Sequence, residues 1–226
     1  MAIFPLIFAN HPFSAVLFDL DGVIIDTTAL HYRVWDEFAR SRKYTPTPAE
    51  LLATNGRRAG ETIRAWLGAS LAENEVVALT SERETLFHRL LASEPVSAVA
   101  GAQAFVARLT AAGIPRAVVT SAVPDNAELA LDRVGMRAAF NAIITAADVR
   151  RGKPDPEGYL KAAAALTIPI SKCVVVEDSI SGIRAAKIAG ARCLGLTTTF
   201  PRDALAAERP DWLVADFLDL PPEFRL

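Results

Sequence analysis

Two kinds of apolar pattern share this chain. Short unbroken runs have the length and composition of buried strands: Ala15-Val16-Leu17-Phe18, Ala117-Val118-Val119, Ile143-Ile144, Cys173-Val174-Val175-Val176, Cys193-Leu194-Gly195-Leu196 and Trp212-Leu213-Val214. Between the later runs, apolar residues return at helical spacing. Phe105, Val106 and Leu109 face one way on a helix that Gly113 closes, and further helices are expected over about 125–134 and 157–166. Ser179 is placed to cap another, which runs to about Ala189 and is stopped by Gly190. Strands separated by helices of this size predict right-handed βαβ units and a parallel sheet.

The segment between the first strand and Pro95 reads differently. Asp26 and Thr27 stand where a helix N-cap would, and Leu30, Val34 and Phe38 then recur every four residues with His31 and Trp35 beside them. Arg40, Arg42 and Lys43 gather where that helix ends and its dipole favours cations. Thr45-Pro46-Thr47-Pro48 breaks the chain. Ile63, Trp66 and Leu67 then make a second stripe, and Leu79, Leu86, Phe87, Leu90 and Leu91 a third. No strand-like run interrupts them, so residues 28–95 are expected to form an all-helical insert.

A chain of 226 residues can hold one α/β domain carrying such an insert. Its 51% apolar and 22% charged content is that of a folded globular protein. A formal net charge of −2 advertises neither a nucleic-acid nor an anionic-membrane partner. Cys173 and Cys193 each lie inside an apolar run, which predicts buried reduced thiols and no metal spacing. Residues 1–10 are apolar, but lack the basic start of a signal and the length of a membrane span. They are expected to lie over the core or to add a sheet edge. The expected protein is cytoplasmic, a monomer or small homo-oligomer, with no membrane partner.

Candidate chemistry begins where the first run stops, at Asp19-Leu20-Asp21-Gly22. Two carboxylates about 4 Å apart repel by roughly 4 kcal/mol at an effective dielectric near 20, so the pair calls for a shared proton or a cation between them. A hard divalent ion such as Mg²⁺ suits oxygen ligands of this charge. In a parallel sheet the strand ends open on one edge, which gathers Asp19, Asp21, Thr120, Lys153, Glu177 and Asp178 around one crevice. Several carboxylates make a cation site there, while a hydroxyl and a lysine supply donors for a phosphoryl group. No P-loop or dinucleotide glycine fingerprint follows any strand.

Phe18-Asp19-Leu20-Asp21-Gly22-Val23-Ile24-Ile25-Asp26-Thr27 resembles the first signature of the haloacid dehalogenase superfamily. Thr120, Lys153-Pro154 and Glu177-Asp178 match its other three in order. The insert, with His31 and Trp35, resembles the cap of the β-phosphoglucomutase and sugar-phosphatase subgroup. The resemblance spans Ala15 to about Leu220. It implies a Rossmann-like, doubly wound parallel-sheet core (1–27 and 96–226) with an all-α cap (28–95). It implies a Mg²⁺-dependent phosphatase acting on a small phosphorylated metabolite, a sugar phosphate, through an aspartyl-phosphate.

By the same resemblance Asp19 would be the nucleophile and Asp21 the general acid and base. Thr120 and the Ser121 backbone would hold phosphoryl oxygens, and Lys153 would neutralise charge. Asp19, the Asp21 carbonyl and Asp178 would hold Mg²⁺, with Glu177 a ligand or a partner behind the ligands. Gly56-Arg57-Arg58-Ala59-Gly60-Glu61-Thr62 resembles the substrate-specificity loop. Arg57 and Arg58 either reach substrate or stand exposed on that loop, and His31 either packs beside Trp35 or faces the active site.

Sugar mutases carry an arginine where this chain has Ala59, and a polar lysine-bearing run where it has Val123-Pro124-Asp125. The phosphatase reading is therefore preferred to a β-phosphoglucomutase-type mutase. A metal-free dehalogenase would lack the second aspartate of the first signature. A phospho-accepting signalling module is the alternative from another class, but it would be shorter, without the insert, and would divide its aspartates between strands.

Overall fold

The computed structural model describes residues 12–224; the expectation for residues 1–10 lies outside them. The chain opens with β1 (Ala15–Phe18) and β2 (Ile25–Asp26), then runs through four helices: α1 (Thr28–Arg40), α2 (Pro48–Leu52), α3 (Ala59–Leu67) and α4 (Glu73–Ser93). It returns through β3 (Ser97–Ala98) and α5 (Ala102–Ala111), and then alternates β4 (Arg116–Val119), α6 (Pro124–Arg133), β5 (Ala142–Ile144) and α7 (Glu157–Ala165). The last units are β6 (Cys173–Glu177), α8 (Ile180–Ala189), β7 (Arg192–Leu196), α9 (Arg202–Ala206) and β8 (Trp212–Val214).

All six apolar runs become strands of one parallel sheet, ordered β5-β4-β1-β6-β7-β8. The runs are unbroken because both faces of the sheet are covered. Val16 and Phe18 of β1 point into one core with α5 and α6, whereas Ala15 and Leu17 point into the other with α7 and α8. This is an α/β, Rossmann-like, doubly wound fold. The strand order reverses direction at β1, the place where open sheets of this kind bind their ligands. Cys173 and Cys193 are free and buried, as expected. Among the described residues no helix is long and apolar enough to cross a membrane.

The two-residue strands β2 and β3 pair antiparallel, Ile25 with Ala98 and Asp26 with Ser97, and so clamp the two chain crossings that flank α1–α4. They are too short to leave a periodic signal. The helices of the insert share only a small core of their own, Trp35, Phe38 and Ile63. Leu30, Val34, Phe87 and Leu91 are instead continuous with the core of the sheet. Much of the stability of α1 and α4 therefore comes from docking against the α/β layer.

Candidate active site

The catalytic candidates are held by strand ladders that continue one residue past the strands. The Asp19 N–H donates to the Val176 carbonyl at 3.0 Å, and the Thr120 N–H to the Ile144 carbonyl at 2.9 Å. Both backbones are thereby fixed, and both side chains are buried at the carboxyl edge of the sheet. Gly22 turns the chain away with φ +73°, and its missing side chain is needed for space as well. A Cβ there would lie 2.0 Å from Asp178 Oδ2.

Lys153 sits at the centre of the charge. Its ammonium lies 2.9 Å from Asp19 Oδ1 and 2.6 Å from Glu177 Oε1, and donates to the Val119 carbonyl at 3.2 Å. Glu177 is fully enclosed. Its Oε1 also accepts from the Tyr159 hydroxyl at 2.6 Å, while its Oε2 accepts from the Asp178 and Ser179 N–H groups and the Ser179 hydroxyl. Ser179 caps α8 as expected, its hydroxyl accepting from the Gly182 N–H at 3.0 Å.

Asp19, Glu177 and Asp178 each bring a carboxylate oxygen within 4.8 Å of the others. One lysine cannot balance three buried carboxylates. Burial, opposed by Lys153 and reinforced by Glu177, pushes the Asp19 carboxyl up to about 7. Burial and then the charges of Asp19 and Glu177 push Asp178 well above the carboxylate range. Burial also works against a charged Lys153, but Asp19 and Glu177 outweigh it and raise its pKa. The donor set is all oxygen, rigid and short of positive charge, so these residues fit a hard divalent cation.

The repulsion expected between Asp19 and Asp21 is present, but Glu177 contributes more to raising the Asp19 pKa than Asp21 does. Asp19 crowds Asp178 and Glu177, whereas the Asp21 carboxylate stands outside that cluster and has its own partners. Asp21 Oδ1 accepts from the Thr27 hydroxyl at 2.5 Å and lies 3.1 Å from His31 Nε2. Burial would raise the Asp21 pKa, but His31, Thr27 and Arg83 together hold it below its ordinary value. Thr27 is thus at the N-cap position without capping; its side chain makes no cap hydrogen bond. A carboxylate within reach is the stronger acceptor for its proton.

His31 faces the site and packs at once, because its ring stacks on Phe87 at 4.2 Å between centroids. Its Nδ1 lies 2.6 Å from Arg83 Nη2. Arg83 is buried on α4, over the faces of Trp35 and Phe87, with Nη1 on Glu84. Neither Arg83 nor Glu84 was expected here. The available signal was a charge at a buried stripe position, since Arg83 shares one face of α4 with Val76, Phe87 and Leu91.

Asp19, Asp21, Thr120, Ser121, Asp178, His31 and Arg57 line one cavity of about 70 Å³. Arg58 does not. Its guanidinium turns to the loop that follows β5, donating to the carbonyls of Val149 at 2.7 Å and Arg150 at 3.1 Å. The two arginines of the loop are therefore separated, Arg57 exposed at the cavity and Arg58 bridging the insert to the sheet domain. Thr120 Oγ1 accepts from the Ala122 N–H at 3.0 Å, which leaves its own proton for another acceptor.

Residues 13–190 match the family model for haloacid dehalogenase-like hydrolases. The chain is 37% identical over 209 residues to validoxylamine A 7'-phosphate phosphatase of Streptomyces hygroscopicus subsp. limoneus, covering 92% of this chain and 96% of that one. It is 34% identical to hexitol phosphatase A of Escherichia coli K12, covering 83% of each. A solved family IA, variant 3 HAD hydrolase from Entamoeba histolytica superposes with a TM-score of 0.85 at 29% identity, covering 93% of this chain and 96% of that one. The strand-end residues, the insert and these likenesses agree, and the chain belongs to the haloacid dehalogenase-like hydrolase family.

Proposed function

We propose that the protein is a Mg²⁺-dependent phosphatase that hydrolyses a small phosphorylated metabolite, a sugar phosphate, through an aspartyl-phosphate on Asp19. The observation that carries this reading is the pairing of a buried, Lys153-bonded Asp19 with a separately held Asp21 in one cavity. The chain is a phosphomonoester hydrolase by family, and the relatives named above are phosphatases whose names specify a validoxylamine phosphate and hexitol phosphates.

In this reading an Asp19 oxygen attacks phosphorus and the ester P–O bond breaks. Asp21 gives its proton to the departing oxygen, then takes one from the water that attacks the phosphoenzyme. Thr120 and the Ser121 backbone hold the phosphoryl oxygens, and Lys153 balances the charge gathered there. Asp19, Asp178 and the Asp21 carbonyl would hold Mg²⁺, which supplies positive charge against the phosphoryl oxygens. Glu177, with both oxygens already accepting hydrogen bonds, supports Lys153 and Asp178 from behind rather than ligating. Residues 28–95 act as a cap over the core of 1–27 and 96–226, and His31 orients Asp21.

One observation favours the mutase alternative. Arg57 lines the cavity, and its side chain makes no hydrogen bond or ion pair among the described residues, so it could hold a second phosphate. Membership of a hydrolase family sets aside the phospho-accepting signalling module. The test is phosphate release from a panel of sugar phosphates with Mg²⁺ or EDTA, using Asp19→Asn as the control. Release that needs Mg²⁺ and Asp19 supports the reading. Efficient conversion of β-glucose 1-phosphate to glucose 6-phosphate with little free phosphate would replace it with the mutase.

A further inference from the structure

A line of hydrogen bonds leads from Asp21 through the insert and returns to the sheet domain on α6. Asp21 Oδ1 lies 3.1 Å from His31 Nε2, and His31 Nδ1 lies 2.6 Å from Arg83 Nη2. Arg83 Nη1 donates to Glu84 Oε1 at 2.9 Å. Asn126 Nδ2 then donates to Glu84 Oε2 at 2.7 Å and to the Glu84 carbonyl at 3.4 Å. Asn126 Oδ1 lies 2.9 Å from His88 Nδ1. A carboxylate only accepts, so Asn126 must turn its amide nitrogen to Glu84 and its oxygen to His88. Both Arg83 and Asn126 are buried.

The weak point of the line is the contact between Arg83 and Glu84. They are consecutive residues of α4, and consecutive residues of a helix do not face each other. With Arg83 on the buried stripe, Glu84 starts about 100° further round the helix, where water competes for its carboxylate. Asn126, on the first turn of α6, holds that carboxylate back. The Arg83 guanidinium depends on it. The ring faces of Trp35 and Phe87 attract the cation without choosing which N–H points where. Glu84, its one ion-pair partner among the described residues, makes that choice and leaves Nη2 for His31.

We propose that Asn126 is a positioning residue for Asp21, acting through Glu84, Arg83 and His31. The proposed acid is then aimed only while α4 is seated on α6. Asn126 does not line the cavity around Asp19, so its effect on the reaction travels through this line. The inference rests on the reading of Asp21 as the acid that protonates the departing oxygen, and it adds what orients that acid.

The test compares kcat/KM of the Mg²⁺-loaded enzyme for benzyl phosphate, whose alkoxide needs a proton to leave, and p-nitrophenyl phosphate, whose stabilised phenolate does not. This parameter covers the steps through formation of the phosphoenzyme, in which Asp21 would act as the acid. Asn126→Ala is expected to lower the benzyl-to-nitrophenyl ratio about tenfold. Lost folded protein or looser docking of the insert would lower both values alike, so a merely structural role leaves the ratio unchanged. Glu84→Gln sets an amide N–H against a donor, should act in the same direction, and serves if Asn126→Ala fails to fold. In an Arg83→Ala background neither change should lower the ratio more than about twofold further. An unchanged ratio in both single variants, or a larger additional loss without Arg83, overturns the positioning role. Phosphate release by the wild type in that case leaves the phosphatase reading standing; no release from these esters or from the sugar phosphates overturns both.

Discussion

The Arg83 guanidinium lies 2.6 Å from Nδ1 of His31. Arginine donates and never accepts, so that nitrogen must offer its lone pair, and the ring proton must sit on Nε2, 3.1 Å from Asp21 Oδ1. The ring is thereby held in one orientation, with Nε2 aimed at the proposed acid and base. Arg83 acts as a positioning residue through His31. Because α4 belongs to the insert and Asp21 to the sheet domain, the chain Arg83–His31–Asp21 also ties the chemistry to the docking of α4.

Arg83→Ala should accordingly lower kcat by roughly 10- to 100-fold, and Arg83→Lys, which keeps a donor, should recover most of it. His31, Thr27 and Arg83 all hold the Asp21 pKa down. When breakdown of the phosphoenzyme, with Asp21 as the base, limits kcat, Thr27→Val and His31→Ala should therefore move the acid limb of the kcat profile to higher pH. A pH profile unchanged in both variants would show that these residues only pack.

Protons and metal should compete for the acidic cluster. Asp19 has an ordinary value of 3.8 and is pushed up to about 7, and Asp178 shifts the same way. Over that interval the metal-free folded protein binds protons that the unfolded chain has lost. The resulting stabilisation is complete below about pH 4 and disappears as pH rises through about 7. Lys153, raised from 10.5, titrates outside this window. The Tm in EDTA should fall from about pH 5 to about pH 8, by roughly 2–4 °C per kcal/mol lost. Millimolar Mg²⁺ should restore it, more at the alkaline end. Thermal scans at both pH values, with and without Mg²⁺, test this; a Tm in EDTA that is flat across the window would refute it.

Two glycines separate lack of space from backbone strain. A Cβ on Gly182 would lie 1.7 Å from Glu177 Oε1, inside the buried pair with Lys153. Gly182→Ala must displace that carboxylate, and should cost ~3 kcal/mol or more. A Cβ on Gly113 meets nothing within 4 Å, although φ is +68°. Gly113→Ala should cost only about 1–2 kcal/mol. Urea unfolding of the two variants gives the comparison directly.

The sheet was legible because strands buried on both faces leave unbroken apolar runs, and strand ends in a parallel sheet meet at one edge. That reasoning sufficed to bring Asp19, Thr120, Lys153 and Asp178 together. It failed wherever partners come from different helices. Thr27 reads as a cap until Asp21 is seen to be the better acceptor. The Glu84–Asn126 contact joins α4 to α6 across 42 residues, which no local period encodes. Tyr159 reads as an ordinary core residue of α7, yet its hydroxyl donates to Glu177.

Arg58 was expected to reach substrate or stand exposed; its half-buried guanidinium lies against the loop that follows β5. Its Nη2 donates to the Val149 carbonyl and its Nη1 to that of Arg150, and a Cβ on Gly152 would come within 2.8 Å of its Nε. The loop it grips runs directly into Lys153. Nearby, the Ser181 hydroxyl donates to the Gly56 carbonyl at 3.1 Å, so the insert is fastened to the sheet domain on both sides of the cavity. Removing one fastening should weaken the closed arrangement without altering the reacting groups. Arg58→Ala should raise KM for a sugar phosphate about tenfold while changing kcat less than about threefold. Arg58→Lys, a single ammonium without the planar fork, should not restore it. Hydrogen exchange should quicken in residues 146–152 and 56–62 together. Loss of kcat with unchanged KM would instead place Arg58 among the groups that act on the reacting phosphate.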